Sequence, residues 1–314
     1  MPNSVRAVSV VSTGMVDIRR QHAESDGSPL LWWLLTARDW SAPRPINVYV
    51  IEHEHGLVLF DTGQDRASVT DPAYFPRGIP GFLYRRLARF EIGGRETLTQ
   101  ALAGIGYDIA EAHWAILSHL HQDHIGGLRE LKHAEIIASS AEWASLNRPD
   151  AALQGLMRRH IDLPGLSWRL LKFPPGQGEP IGPFDSSCDL FGDGSMVLLP
   201  TPGHTPGSVS LLVRREGKPP LLMIGDVSYE EDLLRRERIP GVGKRKALLA
   251  TTRAINALRT AYPDLVILPA HDAGAAGRLT AAFGADVRAR NESRPVGTSA
   301  DPAELVTRTP DTDR

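Results

Sequence analysis

The sequence predicts an α/β protein with two β-rich layers covered on their outer sides by helices. Three observations predict it. Short apolar runs with strand character alternate with segments of helical period. That alternation runs along the chain twice over. Polar residues of ligand type recur where apolar runs end. With 314 residues, 42% of them hydrophobic, the chain has enough apolar material for one large domain or two fused halves.

The elements follow in order. "VRAVSVVST" alternates and is rich in valine, so it reads as a strand. "NVYVIE" and "LVLFDTG" read as a hairpin turned by "HEHG". "ETLTQALAGIGY" carries apolar residues at helical spacing and stops at Gly104 and Gly106. "HWAILSHL" reads as a buried strand, "HQDHIGGLREL" as a loop passing into a helix, and "AEIIASSAEWASLN" as a strand followed by a helix. In the second half, "WRLLKF", "SMVLLPT", "GSVSLLVRR", "PLLMIGD" and "DLVILPAHD" are strand-like. "KALLATTRAINALRTAY" is the clearest helix in the chain. From Asn291 onward the chain is polar, rich in Pro, Ser and Thr, and without a period, the composition of a disordered tail.

Composition removes several function classes. The formal net charge is −2, giving no general attraction to nucleic acid or an anionic membrane. The basic runs Tyr84 to Phe90 and Leu233 to Lys246 read as solvated faces. Cys188 is the one cysteine, which excludes an intramolecular disulfide and a thiolate metal cluster. No apolar run approaches the ~20 residues of a membrane span, and the start does not read as a signal peptide. A soluble cytoplasmic protein is the expectation.

"HLHQDH", His119 to His124, packs three histidines and an aspartate into six positions. His119 and His121, two apart at the end of an apolar strand, would point to one face if extended and could share one metal ion. Asp123 and His124 lie where the chain turns and could aim at a neighbouring point. Gly126 and Gly127 would let the backbone curl before the next helix. A catalytic zinc takes three protein ligands plus water, so further ligands must come from elsewhere. His204 in "LLPTPGHTPGS", Asp226 in "PLLMIGDVSY" and His271 in "LVILPAHDAG" each stand where a hydrophobic run exits. The other six histidines, His22, His53, His55, His113, His133 and His160, lack that context and read as ordinary core or surface residues.

These five elements resemble the metallo-β-lactamase superfamily: "HLHQDH" is similar to its HxHxDH hallmark, and "PGHTPGS", "GD" and "PAHD" to its later His, Asp and His elements. The resemblance implies an αββα sandwich of two mixed β-sheets flanked by helices, with residues 1–290 as the catalytic domain and 291–314 as the tail. It implies two divalent metal ions, zinc by donor type, with iron, manganese or cobalt open. His119, His121 and His204 would hold one ion, Asp123, His124 and His271 the other. Asp226 would bridge them, with a hydroxide between.

Within the superfamily, Tyr229, three residues after Asp226, resembles a feature of the N-acyl-homoserine lactone lactonases of the quorum-quenching branch. The resemblance implies a metal-dependent hydrolase that opens lactone rings, with Tyr229 donating to the oxyanion and Asp123 moving a proton to the leaving oxygen. A phosphotriesterase or arylesterase on the same scaffold, or a non-hydrolytic metal-binding redox or sensory protein, are the competing readings. An acyl tail needs an apolar groove. Trp32 and Trp33 in "LLWWLLTARDW", and Phe75 and Phe82 in the Pro/Gly-rich "YFPRGIPGFLYRRL", are the candidates for substrate contact; the same segments could equally serve core packing or a homodimer interface. The implied partner is a small-molecule lactone, with no nucleic acid and no membrane.

Overall fold

A computed structural model describes residues 3–288, so the tail expected from Asn291 lies outside the described residues. Seven strands form the first sheet: β1 (Val5–Ile18), β2 (Arg44–His53), β3 (Gly56–Phe60), β4 (Ala88–Glu91), β5 (Ala112–Ile116), β6 (Glu135–Ser139) and β7 (Ser167–Leu171). Their spatial order is β4-β1-β2-β3-β5-β6-β7. The second sheet holds β8 (Cys188–Asp189), β9 (Met196–Pro200), β10 (Val209–Val213), β11 (Leu221–Gly225) and β12 (Val266–Pro269), in the order β12-β11-β10-β9-β8. Both sheets are mixed. β1–β2–β3 pair antiparallel and β3–β5–β6–β7 parallel. β8 to β11 pair antiparallel, whereas β11–β12 is parallel.

The period of two along each strand explains the layering. On β3, Val58 and Phe60 face Leu198, Leu211 and Met223 of the other sheet, forming the core between the sheets. Leu57 and Leu59, one position off, pack on the opposite face with Leu98 and Leu102 of the Leu98–Gly104 helix. On the second sheet, Leu212, Leu222 and Ile224 face outward against Ile255 and Leu258 of the Arg245–Ala261 helix. Two sheets with both faces buried, helices outside, is the expected αββα sandwich. No described helix is long and apolar enough to cross a membrane.

One local expectation changes. The segment after "HLHQDHIGG" forms only a 3-10 turn, Leu128–Glu130, because Leu131 to Ala134 must already return the chain to β6. Much of the two aromatic segments is helical: Leu30–Thr36 and Gly78–Leu87. Pro80 sits in the first turn of the second, where a backbone N–H would have no helical partner anyway.

Candidate metal centre

The strands bring their exits together. β3 and β5 are parallel, and β9, β11 and β12 share one direction through the pairings of the second sheet. The residues just past these strands, Asp61, His119 to His124, His204, Asp226 and His271, meet at one edge of the sandwich. β5 itself ends at Ile116, so the loop beyond it, rather than the pleat, brings His119 and His121 together. Gly126 and Gly127 do not act through a curl, since neither has a positive φ. They permit close approach: a Cβ on Gly126 would lie 2.1 Å from the Asp65 amide nitrogen, and one on Gly127 2.3 Å from Leu98.

The seven residues expected as ligands converge in three overlapping groups: His119, His121, His204; His119, His124, Asp226; and Asp123, His124, His271. Within each group the ligand atoms lie within 4.8 Å of one another. Asp226 Oδ1 lies 3.4 Å from both His124 Nε2 and His271 Nε2, and its Oδ2 lies 3.5 Å from His204 Nε2. Asp123 is 3.5 Å from His271 Nε2 and 3.8 Å from His124 Nε2. His204 Nε2 faces His121 Nδ1 at 3.0 Å.

Outer hydrogen bonds set which nitrogen points inward. His121 Nε2 donates to the Gln154 carbonyl (2.9 Å), His271 Nδ1 to the Pro45 carbonyl (3.0 Å) and His124 Nδ1 to Asp61 (2.8 Å). Ser118 Oγ donates to Asp61 and so accepts from His119 Nδ1 at 3.0 Å. Each ring thereby turns a lone pair toward the centre, the arrangement that histidine ligands of metals adopt. Among the described residues, His119 Nε2, His124 Nε2, His271 Nε2 and Asp226 Oδ1 are buried with no hydrogen-bond partner. Buried lone pairs and carboxylate oxygens facing one point, with no donor among them, leave a cation as the natural occupant. The imidazole and carboxylate donors present fit a pair of divalent cations.

The electrostatics agree. Burial, then the neighbouring imidazoles, holds His119 well below the usual histidine range; burial also lowers His204. At His124 burial pushes downward, but Asp61 and Asp226 together outweigh it and push the group well up, so positive charge is favoured there. At Asp226 burial pushes upward and is outweighed by His271 and His124, which hold it well below the carboxylate range.

Three supporting residues lie outside the expected set. Asp61, in the left-handed region at φ 63, accepts from the Ser118 amide (2.7 Å), Ser118 Oγ (2.9 Å) and His124 Nδ1. Backbone strain of this kind collects at functional sites. "LVLFDTG" announces Asp61 by the same strand-exit rule that found the candidate ligands. Glu142, fully buried, accepts from the Leu120 amide (3.1 Å) and the Gly207 amide (3.0 Å), tying two ligand loops together. Its place three residues after the cap Ser139 reads as a helix cap. The third is His22, read from sequence as an ordinary histidine. It is buried at the site with Nε2 2.9 Å from the Tyr229 hydroxyl, and nothing in its sequence context signals it.

Tyr229 is buried, stacks on His271 (5.4 Å between rings, 14° between planes) and donates to Asp226 Oδ2 at 2.8 Å. Burial, then Asp226 and Asp123, pushes its pKa well above the usual tyrosine value, so it keeps its proton. Burial pushes His22 down to about 4, against the opposing pull of Asp226 and Asp123.

A cavity of about 490 Å³ opens above the centre. His121, Asp123, His204, Asp226 and Tyr229 line its floor, and Leu30, Leu31, Leu34, Leu83, Leu87 and Phe90 line its apolar side. The four aromatic residues expected to contact substrate are not in that wall. Trp33 is buried behind it, 6.2 Å from the His22 ring, and Phe75 packs behind the lining residue Tyr84. Trp32 and Phe82 point to solvent, 65% and 48% exposed. Helix phase separates the outward pair from the wall: Leu34 is buried and lines the cavity while Trp32 turns to solvent, and Phe82 turns outward beside the lining residue Leu83.

Fold and donor set together define a dinuclear metal-binding α/β sandwich of the hydrolase type. The sequence pattern described as the metallo-β-lactamase superfamily matches residues 41–271, and the chain belongs to that superfamily. It is 30% identical over 231 residues to the N-acyl homoserine lactonase AttM of Rhizobium radiobacter, covering 73% of this chain and 82% of that protein. The solved structure of an N-acyl homoserine lactone hydrolase with N-hexanoyl-L-homoserine at its catalytic metal centre superposes with a TM-score of 0.68 at 22% identity, covering 86% of this chain and 94% of that one. AidC, a dizinc quorum-quenching lactonase, superposes at 0.57 with 15% identity over 88% of this chain and 93% of its own. These last two likenesses concern the fold.

Proposed function

We propose that the chain is a metal-dependent hydrolase that opens lactone rings, N-acyl-homoserine lactones in particular, with zinc as its metal. The observation that carries this reading is the Tyr229 hydroxyl, a buried donor beside the ligand cluster at the base of an apolar cavity. The curated relatives named as N-acyl homoserine lactonases support it over a phosphotriesterase or a redox protein.

His119, His121 and His204 would hold one cation and Asp123, His124 and His271 the other, with Asp226 shared. When bound, the pair supplies an activated water and Lewis-acid polarisation of a carbonyl. The protein's own residues do the rest. Tyr229 donates a hydrogen bond to the carbonyl oxygen as negative charge develops there, the preorganised stabilisation that lowers a barrier most. Asp123, with an 18% exposed side chain at the cavity floor, takes the proton given up by the water that adds to the carbonyl and hands it to the ring oxygen as the ester C–O bond breaks. Leu30, Leu31, Leu34, Leu83 and Leu87 receive the acyl tail and keep water from it. Trp33 and Phe75 shape this wall from behind.

The test pairs elemental analysis with ring opening of homoserine lactones of varied chain length, before and after chelation. Two metal ions per chain and chelator-sensitive hydrolysis are expected. Fewer than one bound metal in active enzyme, or a much higher kcat/KM for an organophosphate, overturns the reading.

A further inference from the structure

We propose that His22 is a positioning residue: its Nε2–H donates to the Tyr229 hydroxyl and so aims the tyrosine's own proton into the site. This rests on the proposed function for its catalytic meaning, but the hydrogen-bond arrangement stands on geometry alone.

Tyr229 Oη carries one proton and lies within hydrogen-bond distance of two groups, Asp226 Oδ2 at 2.8 Å and His22 Nε2 at 2.9 Å. An ionised carboxylate only accepts, so the tyrosine proton goes to Asp226. The oxygen must then accept, and His22 must carry its hydrogen on Nε2. The opposite arrangement fails twice. It would leave two lone pairs facing each other at the Asp226 contact. It would also put an N–H on His22 Nδ1, which is buried with no partner.

His22 reaches this position from an element unrelated to the ligand loops. It lies in the short Arg20–Ala23 helical turn just past β1, far in sequence from Tyr229. Its backbone is pinned on both sides: its amide donates to the Arg19 carbonyl (2.9 Å), and its carbonyl accepts from the Gly241 amide (3.0 Å). Trp33 backs its ring, which meets the Tyr229 ring edge-on at 5.2 Å. This packing makes His22 a fixed donor behind the tyrosine. A free tyrosine hydroxyl rotates; one that must accept from behind can donate only forward, toward Asp226 or toward a substrate oxygen in the cavity.

The test combines kinetics with a readout independent of turnover. His22→Ala should lower lactone kcat about tenfold, the worth of one hydrogen bond, with KM changed less than about threefold. His22→Gln, whose amide nitrogen reaches the Nε2 position, should recover most of the loss. In a Tyr229→Phe background His22→Ala should cost nothing further, because the histidine acts only through the hydroxyl. An equal cost in both backgrounds, or no recovery with glutamine, overturns the proposal and marks His22 as structural. In protein labelled with nitrogen-15 at histidine, with the His22 signal identified by its loss in His22→Gln, NMR should show the Nε2–H tautomer, with a proton shift altered in Tyr229→Phe. An Nδ1–H tautomer or an imidazolium overturns the proposal whatever the activity. If the wild type opens no lactone, the proposed function fails while the NMR result still decides the arrangement.

Discussion

Asp61→Asn tests whether the centre is built from its outer hydrogen bonds. The carboxylate accepts from the Ser118 amide, the Ser118 hydroxyl and His124 Nδ1. The asparagine oxygen can keep the amide bond, but its NH₂ then faces two donors. The His124 contact, 2.8 Å between buried groups, is the charge-assisted one. Its loss is worth roughly 1.5–3 kcal/mol. His124 can regain a partner only by moving its hydrogen to Nε2, which removes the inward lone pair. The expected result is a metal affinity lower by about 10- to 100-fold, the usual size of such an effect. Competition against a chromophoric chelator measures it, and circular dichroism confirms that the fold persists. Ser118→Ala removes the neutral His119 Nδ1 contact but leaves the charge-assisted Asp61–His124 bond in place, so it should lose less. A folded Asp61→Asn protein with unchanged metal affinity would refute the view that Asp61 orients His124.

Tyr229→Phe should lower lactone kcat on the order of a hundredfold while metal content stays unchanged, as removal of one oxyanion donor does; unchanged turnover would take the tyrosine out of the chemistry. Gly225→Ala should destabilise by about 1–3 kcal/mol, seen as a lower Tm, because φ is 52° there and a Cβ would sit 2.7 Å from Ser118 Cβ and Oγ. The same displacement of Ser118 should weaken metal binding. Leu83→Trp fills the acyl side of the cavity and should raise KM for decanoyl far more than for butyryl homoserine lactone; equal effects on both would place the tail elsewhere.

Much of the architecture was legible along the chain because strands and helices bury different periods. "LVLFDTG" reads as one strand of a hairpin, and "KALLATTRAINALRTAY" as a helix with apolar positions at helical spacing, without any tertiary information. The candidate ligands were legible for a related reason. His204, Asp226 and His271 each interrupt an apolar run at its exit, and a parallel arrangement puts such exits on one edge. The aromatic segments misled because hydrophobicity identifies what is buried or exposed to ligand only once helix phase is known. Leu34 is buried and lines the cavity, whereas Trp32, two positions earlier on the same helix, faces solvent.

What depended on the fold was orientation. The chain alone names His124, but only its 2.8 Å contact with Asp61, a residue outside the expected set, decides which imidazole nitrogen faces inward. His22 and Tyr229 lie more than two hundred positions apart and share no motif, yet one hydrogen bond makes them a unit. Local sequence carries period, turn chemistry and residue type, all of which are properties of neighbours. Hydrogen-bond direction at a buried site is a property of groups brought together from distant segments, and it exists only after both sheets have packed.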